Sequence, residues 1–364
     1  MKKKLLGLLV ASVMALSLTA CGGSKAPDAS EKPKQENADV EAGTDGKKED
    51  VDFYTAMISD TGGVNDQSFN QSAWEGLQAF ETETGAKIGF IESVQESDYA
   101  SNFDKLVDEE ANLIWGIGFA LADHLSAAAE MNPERLFGII DFDFGKDTPS
   151  NVASTEFDVQ DSSFLVGYAA ALTTKTNRVG YIGGMKSPTM DYFEYGYKAG
   201  VEYGAAELGK EITVDIQFAE SFTDAAKGKA MAAAMYSAGS DIIFHAAGGA
   251  GVDVIEQAVE ANKWVIGVDR DQSYLASENM LTSALKTVGV ATEAISKAVI
   301  NGEDIGGKTF NYGLKDGAVG IPAENPNMDP EVEAKVRVIE TKITAGEIVA
   351  PNTEESYNNF QNGL

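Results

Sequence analysis

The 364-residue chain has a single cysteine, two histidines and no basic cluster beyond its first fifty residues. Each scarcity excludes something. With Cys21 as its only cysteine, the chain cannot form an internal disulfide, so its stability must come from a packed core. His124 and His245 have no second histidine, cysteine or clustered acid at ligand spacing, so they read as structural and no metal site or cofactor is expected. There is no GxSxG and no supportable Ser/His/Asp set, so no case for catalysis arises. The formal charge of −29 becomes −32 once the three lysines of residues 1–20 are set aside. A chain this acidic is a poor partner for nucleic acid or for anionic lipid headgroups. After residues 5–18 there is no further long apolar run, hence no second candidate for a membrane span.

What is present begins with a leader. Met1-Lys2-Lys3-Lys4 is a basic start, residues 5–18 are apolar, and the run is too short and wrongly flanked for a spanning helix. Leu18-Thr19-Ala20-Cys21 resembles the lipobox of bacterial lipoproteins, in which the cysteine is lipidated and becomes the new N-terminus. The alternative is a signal peptide cut at Ala20 with Cys21 incidental. Residues 22–50 are Gly, Ser, Lys, Glu, Pro, Asp and Asn with almost no large apolar side chain. Such a stretch cannot bury enough surface to offset its ordering entropy. It reads as a tether with a reach on the order of 100 Å.

From Val51 the chain alternates strand-like and helix-like segments, with strands expected at 52–58, 87–91, 112–117 and 135–141, then at 178–182, 212–218, 241–244, 264–268 and 281–284. The helices expected between and after them are 68–84, 97–109, 120–131, 158–174, 189–208, 224–238, 250–261, 287–300 and 330–346, the last closed by Gly346. Alternation of this kind implies an α/β protein with parallel, doubly wound sheets. The strands fall into two sets broken near Lys175-Thr176-Asn177, which predicts two lobes with a cleft between them.

In such folds ligands sit at the carboxyl ends of strands, and the residues there are unusual for loops. The segment 60–77, DTGGVNDQSFNQSAWEGL, is a polar βα loop holding one aromatic, Phe69. It has neither the lysine of a P-loop nor GxGxxG spacing, and suits a neutral polar ligand with a flat part. Asp141, Asp269 and Lys286 follow other strands, Phe222 stands in a turn, and Gly248-Gly249 lets backbone approach a ligand. Two ring faces, Phe69 and Phe222, suit a flat heterocycle, and two acids suit vicinal hydroxyls, with Lys286 keeping a buried carboxylate paired. Taken singly, an acid after a strand is more often a helix N-cap, and a lone loop phenylalanine is more often packing.

Together and in order, these motifs resemble the basic membrane protein family of nucleoside-binding lipoproteins of ABC importers. The resemblance rests on the lipobox, DTGGVNDQSFNQSAWEGL, FGIIDFD (137–143), SFTDAAKGKAMA (221–232), HAAGGAGVDVIEQA (245–258), VIGVDRDQSY (265–274) and LTSALK (281–286), and runs from about Val51 to Pro351. It implies the type I periplasmic-binding-protein fold, with two lobes joined by a three-stranded hinge. Lobe 1 is expected at 51–175 plus about 272–305, and lobe 2 at 176–271 plus about 306–364. By position, the resemblance makes Phe69 and Phe222 the stacking pair and sets Asn65 and Asp66 at the base. It puts Asp141, Asp269 and Lys286 at the ribose, and Gly248 and Gly249 in backbone contact. Phe142-Asp143-Phe144 departs from the smaller residues relatives carry there and bears on pocket width. The implied protein is a monomer, lipid-anchored on the outer face of the cell membrane. It is not an enzyme, and it passes guanosine, adenosine or inosine to an ABC permease. A sugar-binding protein of the same fold, or an adhesin or regulatory lipoprotein, are the competing readings.

Overall fold

A computed structural model describes residues 51–364; the leader, Cys21 and the tether all fall within residues 1–50, outside the described residues. The described chain builds two six-stranded sheets. The first is laid down by β1 (Tyr54–Ile58), α1 (Phe69–Thr84), β2 (Lys87–Ile91), α2 (Tyr99–Asp108), β3 (Leu113–Ile117), α3 (Ala122–Met131), β4 (Leu136–Ile140) and β5 (Val152–Phe157). The second follows as α4 (Val159–Thr173), β6 (Arg178–Gly183), α5 (Pro188–Leu208), β7 (Thr213–Phe218), α6 (Ala225–Ser237), β8 (Ile242–Ala246), α7 (Ala250–Ala261), β9 (Trp264–Asp269) and β10 (Met280–Lys286). The chain then returns through α8 (Val288–Ile300) and β11 (Lys308–Tyr312) and ends with β12 (Val319–Gly320), α9 (Pro330–Thr344) and α10 (Glu354–Gln361).

Strand order is β11-β5-β4-β3-β1-β2 in one sheet and β12-β10-β9-β8-β6-β7 in the other, parallel except where β12 runs against β10. The central strands are buried along their whole length, as in Leu-Ile-Trp-Gly-Ile of β3 and Ile-Ile-Phe-His-Ala of β8. Continuous apolar runs are what a sheet covered on both faces requires. The edge strand β2 instead has only exposed and half-buried residues.

The chain crosses between the sheets three times, at Asp158, Thr287 and Gly313. The crossings are tied to each other by Asp158 N–H donating to Tyr312 O at 2.9 Å and Thr287 N–H donating to Ala318 O at 2.7 Å. Two lobes joined by three strands is the expected architecture, but the sheets divide the chain differently from the expected boundaries. The first crossing comes at Asp158, not near Asn177, because the sheet gains a further strand, β5, beside β4 and the chain leaves it at Phe157. The β5 sequence, Val-Ala-Ser-Thr-Glu-Phe, is polar for an interior strand. Thr155 is tolerated there because its Oγ1 donates to Ile139 O at 2.8 Å, which satisfies a buried hydroxyl, whereas Ser154 Oγ is buried without a partner. β10, expected in lobe 1, pairs with β9 in the second sheet, and β11, expected in lobe 2, pairs with β5 in the first. Helix α8 does belong to the first lobe. It lies against α1 so closely that a Cβ on Gly76 would fall 2.3 Å from Gly289 O.

Candidate functional site

The carboxyl ends of strands from both sheets converge on one cavity of ≈ 180 Å³. That is below the range of about 300–1,000 Å³ common for drug-sized ligands. The closed state is visible in its bridges. Ser68 Oγ, at the start of α1, donates to Asp269 Oδ2 at the end of β9. On the rim, Arg270 holds Glu75 through two hydrogen bonds of 2.6 and 3.2 Å, Tyr274 OH donates to Gln67 Oε1 at 2.6 Å, and Gln272 Nε2 donates to Gln67 O at 3.0 Å.

Eight of the nine residues singled out as ligand contacts line this cavity: Asp66, Phe69, Asp141, Phe222, Gly248, Gly249, Asp269 and Lys286. Asn65 does not. Its neighbour Val64 turns into the core, its N–H held by Glu92 Oε1 at 2.9 Å, which leaves the Asn65 side chain exposed to solvent. Asp66 lines the cavity, but its carboxylate faces the N-terminus of α1, accepting from the N–H groups of Ser68 (2.9 Å), Asn70 (2.8 Å) and Gln71 (3.1 Å) and from Asn70 Nδ2 (3.0 Å). Two oxygens with four donors have little capacity left for a base.

The polar groups with spare capacity are neighbours. Asn70 gives both amide hydrogens away, to Asp60 Oδ1 at 2.8 Å and to Asp66, while its Oδ1 is buried with no partner. Asp60 lines the same end of the cavity, and burial pushes its carboxyl up to about 6. Asp60 follows β1 just as Asp141 follows β4, and Phe119 follows β3, so the strand-end rule reaches both. Tyr99, from the start of α2, and Phe193, from α5, also line the cavity; neither stands at a strand end.

Asp141 and Asp269 occupy matching places, after β4 and at the end of β9, the corresponding strands of the two sheets. Both have left-handed backbone, with φ of 62° and 64°, and so does Glu220 at 53° on the cavity wall. Residues other than glycine rarely adopt φ above zero, and such strain concentrates at functional sites. Lys286 Nζ pairs with Asp141 Oδ2, and its ammonium lies 4.8 Å from the centre of the Phe69 ring, 5.3 Å from Phe157 and 5.9 Å from Phe193. Ring faces stabilise the buried cation beyond its single ion pair. Burial pushes Asp269 up to about 7, with Lys286 and Ser68 pulling the other way.

Phe222 is positioned from below by Gly184, where a Cβ would fall 2.1 Å from the ring, and from the other lobe by Phe119, whose ring edge meets it at 6.4 Å. Phe142 and Phe144, close after Asp141, turn away. They meet each other edge-on at 4.7 Å and pack on the lobe-1 core, so they do not narrow the pocket. His245 is a buried core residue whose burial pushes it down to about 4. Among the described residues no group of three or more His, Cys, Asp or Glu is placed to hold a metal, and no helix is long and apolar enough to cross a membrane.

Comparison with known proteins identifies the family and the fold. A family model described as "ABC transporter substrate-binding protein PnrA-like" matches residues 53–354. The chain is 40% identical to the "ABC transporter nucleoside-binding protein BmpA" of Lactococcus lactis, over 94% of this chain and 99% of that one. It is 38% identical to a "CD4+ T-cell-stimulating antigen" of Listeria innocua, over 96% of this chain and 99% of the other. Among solved structures, an ABC transporter system solute-binding protein from Aeropyrum pernix superposes with a TM-score of 0.76 at 25% identity, covering 84% of this chain and 96% of that one. That likeness establishes the fold as the one shared by periplasmic solute-binding proteins. The chain therefore belongs to the Bmp family of PnrA-like ABC transporter substrate-binding proteins.

Proposed function

We propose that the protein captures a nucleoside, with purine nucleosides first, outside the cell and delivers it to an ABC permease, held to the membrane by a lipid on Cys21. One observation carries the reading. The cavity is lined by an aromatic ring from each lobe, Phe69 and Phe222, and by two polar groups of residues of different chemistry. In the first group the Asp141–Lys286 pair and the Asp269 carboxyl offer acceptors and a donor suited to sugar hydroxyls. In the second group the Asp60 carboxyl, beside Asn70, offers an acceptor for an N–H group of a base edge. A free sugar would use the first group and leave the ring faces and the second group idle, which disfavours the sugar-binding alternative. The Lactococcus relative's name supports the nucleoside reading.

Mechanically, ligand binds one open lobe and the other rotates over it about the crossings at Asp158, Thr287 and Gly313, a hinge closure that shifts the population toward the bridged state. The rim bridges lie outside the cavity, so they stabilise closure without reading the ligand. Calorimetry on Phe69→Ala and Asp269→Ala with guanosine, adenosine, cytidine and ribose tests the site. Phe69→Ala is expected to weaken nucleoside binding by about 1–3 kcal/mol, the loss of one stacked face. Unchanged nucleoside binding in both variants would contradict the assignment. For the anchor, Cys21→Ala is expected to release the protein into the medium; retention on the membrane would contradict it.

A further inference from the structure

Two residues other than glycine carry left-handed backbone where the lobes meet: Gln67 of the first lobe, with φ of 59°, and Asp269 of the second, with φ of 64°. Gln67 immediately precedes Ser68, whose hydroxyl donates to the Asp269 carboxyl across the cleft. Asp269 is the centre of a three-residue turn closed by Arg270 N–H donating to Val268 O at 2.7 Å. With φ above zero at its centre, this is the rare and strained form of the γ-turn. Such strain persists only where the surroundings over-determine it.

One side chain holds both turns. Gln272 is fully buried. Its Oε1 accepts from the N–H of Val268, the residue before Asp269, at 2.9 Å. Its Nε2 donates at 3.0 Å to the carbonyl of Gln67, the residue before Ser68. Its own backbone N–H donates to Ser283 Oγ of β10 at 3.2 Å. Gly267 leaves it room, since a Cβ there would fall 2.7 Å from Gln272 Oε1 and 2.6 Å from Ser283 Oγ. The two partners dictate the chemistry. Val268 N–H needs an acceptor and the Gln67 carbonyl needs a donor, both at one side-chain end. A neutral amide supplies both; a carboxylate lacks the donor and an apolar side chain lacks both. A buried backbone group left unpaired costs more than its hydrogen bond contributes. Gln272 is not among the residues lining the cavity, so it acts on Asp269 and Ser68 from behind.

We propose that Gln272 is the positioning residue of lobe closure. Within the second lobe its oxygen pins the turn that aims the Asp269 carboxyl. Its amide nitrogen finds the Gln67 carbonyl only when the first lobe arrives, and that contact sets Ser68 against Asp269. The geometry of a ligand-facing acid is thereby tied to closure through a residue that touches no ligand. The kinetic arm of the test uses guanosine and rests on the nucleoside reading; the exchange arm needs no ligand. Stopped-flow kinetics with guanosine, and amide hydrogen exchange on the unliganded protein, are measured for Gln272→Met, Ser68→Ala and the double variant. Gln272→Met is expected to release guanosine about 10- to 100-fold faster, as a buried donor and acceptor are lost together, with association within about twofold of the unaltered rate. The double variant is expected to release guanosine as Gln272→Met does, because Ser68 has already lost its alignment. Without ligand, the Val268 amide should exchange at least about tenfold faster in Gln272→Met and at the unaltered rate in Ser68→Ala. Ser283→Ala loosens Gln272 without removing it and is the milder variant should Gln272→Met not fold; it is expected to speed release and Val268 exchange by about 3- to 10-fold. Release within about twofold of the unaltered protein in the folded variant, or losses that add in the double variant, overturns the proposal. If guanosine fails to bind the unaltered protein, the nucleoside reading falls alone and exchange decides. A faster Val268 amide then upholds the positioning role of Gln272, and an unchanged one overturns it.

Discussion

Gly184→Ala is a perturbation that touches no ligand, because Gly184 is not among the residues lining the cavity. Its backbone sits between neighbouring strand ends, donating to Ala246 O at 2.9 Å and accepting from Glu220 N–H at 3.1 Å. The added methyl would lie 2.1 Å and 2.2 Å from two carbons of the Phe222 ring. Comfortable carbon contacts are about 3.5–4.0 Å, so the ring must retreat by roughly 1.5 Å. Overpacking of this kind costs about 1–3 kcal/mol in stability. A ring moved that far also loses its stacking on the ligand, about 1–3 kcal/mol, or roughly 5- to 150-fold in affinity. The assay is guanosine calorimetry on Gly184→Ala, Phe222→Ala and the double variant. Because the glycine acts only through the ring, the double variant should bind like Phe222→Ala alone. Binding within twofold of the unaltered protein in Gly184→Ala, or losses that add in the double variant, would refute the reasoning.

Lys286→Met leaves Asp141 without its buried partner and should destabilise the protein by about 3–5 kcal/mol in urea titrations, with Asp141→Leu in the same chain recovering much of the loss. Glu75→Gln removes the partly exposed rim pair with Arg270; stopped-flow kinetics should show ligand dissociation faster by about 2- to 5-fold and association unchanged, matching about 0.5–1 kcal/mol for such a pair. The Asp269 carboxyl, pushed up to about 7 from 3.8 by burial, holds its proton where the unfolded chain has lost it. Its contribution to stability is therefore full below about pH 4 and lost as pH rises through 7. Relative to Asp269→Asn, the unliganded protein should gain stability as pH falls across that window, and a flat difference would contradict the burial argument. His245 works in the opposite sense: burial holds it neutral down to about 4, so stability falls as pH drops from 6.5, and His245→Gln should remove that loss in acid denaturation curves.

The elements most legible in the sequence were those with long apolar runs or strand–turn–helix punctuation. The first βα unit, the strand-end acids Asp141 and Asp269 and the turn holding Phe222 were found because each breaks the ordinary chemistry of a loop. What escaped detection did so for physical reasons. β5 hides its burial behind Ser154, Thr155 and Glu156, with Thr155 made tolerable by a hydrogen bond to a neighbouring strand. β11, Lys-Thr-Phe-Asn-Tyr, is a half-exposed edge strand whose place in the first sheet depends on a chain crossing that local pattern does not encode. At the site, Asn65 and Asp66 are neighbours in one polar loop, yet one residue of rotation along it decides which side chain faces solvent and which caps α1. The spare acceptors belong to Asp60 and Asn70, which lie in the same eighteen-residue segment and differ from their neighbours only in what the fold brings near them.

The central claim is that the two lobes close on a nucleoside. Its most direct test is calorimetric titration of the unaltered protein with guanosine and, separately, with ribose. The account predicts saturable binding of one guanosine per chain and far weaker binding of ribose, since ribose engages neither Phe69, Phe222 nor the Asp60–Asn70 end of the cavity. Tight binding of ribose without binding of guanosine would contradict it.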